Sequence, residues 1–250
     1  MDMRSSNPAL PADTFSNLRS RTELSDAMTV QGTVYKTLLL LMLVMLSAGW
    51  TWMKFYQSGD NGGIATPWIA IGALGGFVMA LVTVFKKEWA PITAPIYALL
   101  QGLFIGGISA QLETVYPGIV IQAAGLTFGT LFAMLLAYQS GLIRATEKFK
   151  MGVVAATGGI MIVYLVSFVL SFFGIQPSFL YSSSLLSIGI SLFVIVIAAL
   201  NFIIDFDFIE QGARQNVPKY MEWYGAFAMM VTLIWLYIEF LRLLSKLRNR

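Results

Sequence analysis

From Ser184 to Ile204 the chain reads SLLSIGISLFVIVIAALNFII, with no charged side chain. About 20 apolar residues are what an α-helix needs to cross the roughly 30 Å hydrocarbon layer of a bilayer. Inside that layer each backbone N–H and C=O must be bonded within the protein, so a run of this kind folds as a helix. Seven such runs occur, at about 34–53, 66–85, 90–110, 116–138, 151–173, 181–207 and 224–244. Short connections join them, and no repeat relates the two halves. The expectation is an all-α, integral membrane bundle of seven transmembrane helices over residues 34–250, preceded by a polar tail over residues 1–33.

Composition supports the same reading. Charged residues make up 12% of the 250-residue chain, against about 25% in a soluble domain. That is too few to cover a wet surface. There is no Cys and no His, which removes disulfides, thiolate and zinc sites, and His-based triads. It also removes the usual switch near neutral pH, so any proton sensing falls to carboxylates. The net charge is a small +3. No basic tract suggests nucleic acid, and the expected surroundings are membrane lipid.

Positive charge orients such a bundle, because cytoplasmic loops are rich in Lys and Arg. With seven spans, the tail and the second, fourth and sixth connections share a face. That face holds Arg4, Arg19, Arg21, Lys36, Lys86, Lys87, Arg144, Lys148, Lys150, Arg214 and Lys219, whereas the opposite connections hold only Lys54. The N-terminal residues lack the apolar core and cleavage site of a secretory signal. We therefore expect a multi-pass protein of a bacterial cytoplasmic (inner) membrane with its N-terminus inside. One conflict stands: Arg242, Lys246, Arg248 and Arg250 make a basic C-terminal end, which seven spans place outside. A re-entrant last segment is the alternative.

Gly72 and Gly76, Gly102 and Gly106, and Gly125 and Gly129 repeat at four-residue spacing, which lets helix backbones approach closely in lipid. Packing within one bundle is the expected use, and a monomer the expected state. Pro91 and Pro95 should kink the start of the third helix. Trp50, Trp52, Trp68 and Trp89 fall near helix ends, as interface anchors do.

Ionisable groups enter the apolar runs at two places. IIDFDFIEQG closes the sixth run with Asp205, Asp207 and Glu210, and Glu239 lies in LIWLYIEFLRLL of the seventh, three residues before Arg242. A carboxylate at mid-bilayer costs about 3 kcal/mol on insertion scales and is normally kept only where it meets a partner or a water-filled path. For Glu239 the plain alternative is an i,i+3 pair with Arg242. For Asp205 and Glu210 it is solvation at the interface, and periodicity does not decide Asp207.

FDFIEQG and LIWLYIEFLRLL, together with SSNPAL, MTVQGTVYKT and PIYALLQGLFIGGIS, resemble the Bax inhibitor-1 (transmembrane Bax inhibitor motif) family, in its bacterial branch. The likeness extends over essentially the whole chain. It implies an acid pair on the sixth and seventh helices that shares a proton and gates a calcium leak. On that reading Asp207, with Asp205 as fallback, and Glu239 are the pH-sensing acids and the ligands of calcium in transit. The family's second acid is usually Asp, so Glu239 departs from the pattern. The implied basic latch at the end of the second helix matches Lys86 or Lys87, where Lys supplies a point charge in place of a bidentate clamp.

The pairing depends on depth. If the sixth helix ran to 215 and the seventh began at 222, Asp207 and Glu239 would lie about 12 and 25 Å from the turn, at 1.5 Å per residue. They meet only if residues 213–225 form a loop or interfacial segment. Otherwise Glu222 is the partner by depth. The function expected is a pH-sensitive calcium leak with no resident cofactor. The alternative is a non-transporting regulator of stress responses or of a membrane protease, acting through a membrane-protein partner. An enzyme is not expected, since no Gly-x-Gly-Asp text surrounds either acid.

Overall fold

A computed structural model describes residues 27–57, 63, 65–171, 173, 174, 177, 180 and 182–249. Over these residues the chain forms α1 (Val30–Gln57), α2 (Thr66–Phe85), α3 (Ala90–Val115), α4 (Ile119–Gln139), α5 (Glu147–Ser171), α6 (Leu185–Arg214) and α7 (Met221–Arg248). All seven are long and apolar enough to cross a membrane. A single 3-10 turn, Lys87–Trp89, leads into α3.

Local chemistry sets the boundaries. A proline stands in the first turn of both α2 and α3, where its missing N–H costs nothing. Pro95 sits inside α3, which continues through it. Gly118, at φ +82°, turns the chain into α4, and the Glu113 carboxylate accepts from the N–H groups of Gly118 (2.5 Å) and Val120 (3.1 Å). A carboxylate at a helix N-terminus satisfies free donors and the positive end of the dipole together. Ser184 caps α6 by accepting from Ser187 N.

α7 is the central helix, packed against α1, α3, α4 and α6. Its apolar window is 61% buried inside the bundle and that of α6 56%, whereas those of α2, α4 and α5 reach only 17%. The core where α7 meets its neighbours includes Leu40, Tyr97, Phe202, Phe227, Met230 and Leu236. α2 packs on α3, and α5 on α6. A charge on the inner side of α6 or α7 therefore meets protein, and most of α5 meets lipid.

The last segment is one continuous helix of 28 residues, so it is not re-entrant. Ala27 bridges to Pro218, and Met28 N donates to Val217 O at 2.8 Å, which fixes the start of α1 beside the α6–α7 turn. The far end of α7 lies at the opposite face. There the buried Lys246 donates to Ser187 O (3.2 Å) and Ser191 Oγ (2.8 Å). Arg248 reaches Pro117 O (2.7 Å) and Gln122 Oε1 (3.1 Å). These contacts give the basic C-terminal residues a packing role on the less basic face. Arg250 lies outside the described residues.

Two of the three glycine pairs pack as expected. A Cβ on Gly106 would overlap the backbone of Ala48, and one on Gly72 would come 2.5 Å from Leu100 O. Gly102 faces Val44 and Ser47 of α1, and Gly76 faces Gln101. The third pair does not: a Cβ on Gly125 or Gly129 meets nothing within 4 Å. Four-residue spacing puts two glycines on one side of a helix, and on α4 that side points away from the bundle.

Candidate functional site

The acids of α6 and α7 each find a partner, and α5 supplies one to Asp207 and one to Glu239. Asp207 accepts from Lys150 Nζ of α5 at 2.7 Å and from Gln211 Nε2, one turn on, at 2.6 Å. Lys150 also reaches Glu147 at 3.2 Å. Glu239, 1% exposed, accepts from the Tyr164 hydroxyl of α5 at 2.9 Å and pairs with Arg242 at 3.1 Å. Arg242 Nη1 donates to Tyr164 Oη as well, at 2.6 Å, and the guanidinium lies over the tyrosine ring, 4.8 Å from its centre. The local Glu239–Arg242 pair is therefore present, with a tyrosine from another helix closing a triangle.

Between these two groups lies a third polar contact. Asn201 Nδ2 of α6 donates to Thr157 Oγ1 of α5 at 2.9 Å and to Ile197 O at 2.8 Å. The α5 members, Lys150, Thr157 and Tyr164, are seven residues apart. Two helical turns separate each from the next, about 10 Å, so they share a face. Val153, Ile160 and Ser167, buried on the same helix, interleave with them at three- and four-residue steps. α5 thus meets α6 and α7 along a narrow heptad seam in which alternate positions are polar. Interhelical hydrogen bonds in membranes average about 0.6 kcal/mol, with 1–2 kcal/mol at the upper end. The three rungs contribute only a few kcal/mol to the attachment of α5, beside the packing of Ile160 with Val194 and Ile197.

Asp205 is bound differently. Thr232 Oγ1 of α7 donates to it at 2.7 Å, so it links α6 to α7 inside the bundle, where the sequence reading had it solvated at the interface. Among the described residues its partner is this hydroxyl, whereas Asp207, Glu210, Glu222 and Glu239 each pair with a cation. Glu210, at the end of α6, accepts from Tyr138 (2.5 Å) and Arg214 (2.6 Å).

The expected contact between Asp207 and Glu239 is not formed. α6 runs to Arg214 and α7 starts at Met221, so the turn is shorter than the pairing requires. Asp207 stands seven residues, about 10 Å, from that end, and Glu239 eighteen residues, about 27 Å. Thr232, not Glu239, lies level with the acids of α6. Glu222 is not their partner either. It is buried at the start of α7, where it accepts from Thr29 N and Oγ1 (both 2.9 Å) and pairs with Lys36 of α1. Lys86 closes α2 through a backbone bond to Val82, and Lys87 lies over the Tyr224 ring at 5.3 Å. Among the described residues neither pairs with an acid. The cation at Asp207 is Lys150, which by sequence is one of several charges of the inner face. The signal that points to it is the spacing of Lys150, Thr157 and Tyr164 along an otherwise apolar helix.

Among the described residues no three acids converge on one point as a tight metal site requires. No curated protein and no solved structure matches the chain. The family model described as Bax inhibitor 1 like matches residues 7–249. With seven membrane-length helices and a match over nearly its full length, the chain belongs to the Bax inhibitor 1 like family of membrane proteins.

Proposed function

We propose that the protein is a pH-sensitive cation leak of the bacterial cytoplasmic membrane, with calcium as the transported ion and α5 as the gating helix. The observation that carries this reading is that Asp207 of α6 and Glu239 of α7, which do not touch each other, both hold α5, through Lys150 and Tyr164. Each acid is engaged, so the arrangement is the closed one. Carboxylates and hydroxyls are the oxygen ligands that calcium takes, and releasing α5 frees them along the α6–α7 face. The basic residues on the Ala27 side support a cytoplasmic N-terminus.

The sign of the pH response follows from the ion pair. Opposite charges hold the Lys150–Asp207 rung, so neutralising the carboxylate weakens it and increases the leak. Glu147, Gln211, Tyr138, Glu210 and Arg214 surround that end of the seam and shape the profile. A closed state favoured by a few kcal/mol leaves an open minority of about 0.1–10%, which suits a leak more than a fast channel.

The test is calcium uptake into proteoliposomes across a pH series. Wild type should leak more at acid pH. Tyr164→Phe, which deletes the hydroxyl at Glu239, should raise the leak at every pH. Purified protein that passes no calcium at any pH would overturn the proposal in favour of a non-transporting regulator.

A further inference from the structure

At the end of the bundle away from Ala27, a groove of about 280 Å³ lies between α1 and α4, floored by α3 and α7. Met45 and Gly49 form one wall, Ala124 and Phe128 the other, and Gly106 and Met230 part of the floor. Its surface is almost wholly apolar. The polar residues that border it are already satisfied: Ser109 and Tyr237 bond to each other at 2.8 Å, and Thr127 bonds to Ala123 O at 2.8 Å. Water needs two to four polar partners to occupy a cavity, and an apolar cavity stays dry. An empty one forfeits dispersion contacts along its lining.

The groove opens sideways. Met45 is 63% exposed and Phe128 45%, on membrane-spanning helices whose outer faces meet hydrocarbon. Its length also fits. From Leu41 to Trp52 it follows α1 for about 16 Å, close to half of the roughly 30 Å hydrocarbon layer, which is one leaflet. At the membrane-surface end stands a cation. Arg248 donates to Pro117 O and to Gln122 Oε1, both within one turn of Val120, which lines the groove. A guanidinium has five N–H donors, so it keeps some for a further acceptor, and phosphate matches its fork geometry.

We infer that this groove binds one acyl chain of an anionic phospholipid from the leaflet opposite the Ala27 face, with the lipid phosphate on Arg248. Gly49 supplies a clean test. A Cβ there meets nothing within 4 Å, so Gly49→Leu adds bulk to a lining position with open space at its Cβ.

Native mass spectrometry of delipidated protein with added phosphatidylglycerol should show one retained lipid on the wild type. Gly49→Leu should lower that affinity by at least about tenfold, a change of 1.4 kcal/mol, while its lipid-free melting temperature stays at or above wild type. Ala124→Leu, on the other wall, should act alike and covers the case in which Gly49→Leu misfolds. Arg248→Gln should weaken phosphatidylglycerol several-fold, as loss of a charge-assisted contact does, and leave diacylglycerol unchanged. Unaltered lipid retention in both groove-filling variants overturns the site. Binding of glycerophosphoglycerol, which has no acyl chain, as tight as that of the whole lipid would show a phosphate site and no acyl groove.

Discussion

α3 and α5 are both largely apolar helices, yet the bundle holds them in opposite ways. At α3 backbones meet: Gly106 leaves no room for a Cβ beside Ala48, and Gly72 of α2 stands against Leu100 O. Contact of that kind is continuous, and interiors packed so closely do not deform by degrees. At α5 the glycines do nothing similar. A Cβ on Gly152, Gly158 or Gly159 meets nothing within 4 Å, and the helix is held by polar rungs at Lys150, Thr157 and Tyr164 with side-chain packing of Ile160 among Val194 and Ile197 between them. Discrete bonds can be broken one at a time, and some can be broken by a proton. The bundle thus combines an α1–α2–α3 sector packed backbone to backbone with a helix attached in part through discrete polar contacts.

The sharpest way to break this contrast is to place the same side chain in both sectors. Gly106→Leu forces α3 from α1. Overpacking costs about 1–3 kcal/mol or more, and at 2–4 °C per kcal/mol for a chain of this size the detergent-solubilised protein should melt roughly 5–10 °C lower. Gly129→Leu, at the same four-residue spacing on α4, should melt within about a degree of wild type, as surface substitutions do. Equal losses would show that the outer face of α4 is also packed, against a partner.

A second comparison sets the two ends of α5 against each other. A proton-sharing pair at Asp207 and Glu239 would make the double variant Asp207→Asn, Glu239→Gln behave like either single one. The structure gives each acid its own partner on α5, well over 10 Å apart, a range at which effects add in free energy. Each single change should raise calcium leak at neutral pH about tenfold, if the rung contributes near 1.4 kcal/mol. The double change should raise it by about the product of the two. Asp207→Asn alone should flatten the acid limb of the pH profile. A double variant no leakier than its parents would restore the shared-proton pair.

These outcomes also mark where the sequence is legible. The seven spans could be read directly, because a bilayer demands one kind of element of one length. The long polar stretch between the last two runs read as too ambiguous to place the α6–α7 turn. Continuing α6 through Glu210 to Arg214 separated acids that the family resemblance had joined. Glycine spacing showed which residues share a side of a helix but not whether that side faces protein, which depends on helix rotation. Gly102 and Gly129 therefore looked alike. The partners of the acids were hidden for the same reason. Lys150 reads as a loop cation and Tyr164 as an apolar filler until α5 is turned toward α6 and α7. Glu239 was more accessible, since Arg242 is its neighbour on the same helix.

The smallest effect is expected at the middle rung, and it separates a seam of independent bonds from a charge effect. Asn201 and Thr157 are neutral, so their bond contributes about 0.6 kcal/mol, the mean for interhelical hydrogen bonds in a membrane. Thr157→Val keeps the shape of the side chain and removes the oxygen. If α5 is held by the seam as a whole, this change should raise the leak about threefold, the factor that 0.6 kcal/mol represents, and shift it equally at every pH, because no charge has been removed. A leak unchanged within error in Thr157→Val, with a large response in Asp207→Asn, would mean that the ionic end alone holds α5. A change in the shape of the pH profile in Thr157→Val would instead mean that the middle rung is coupled to Asp207, six residues along α6 from Asn201.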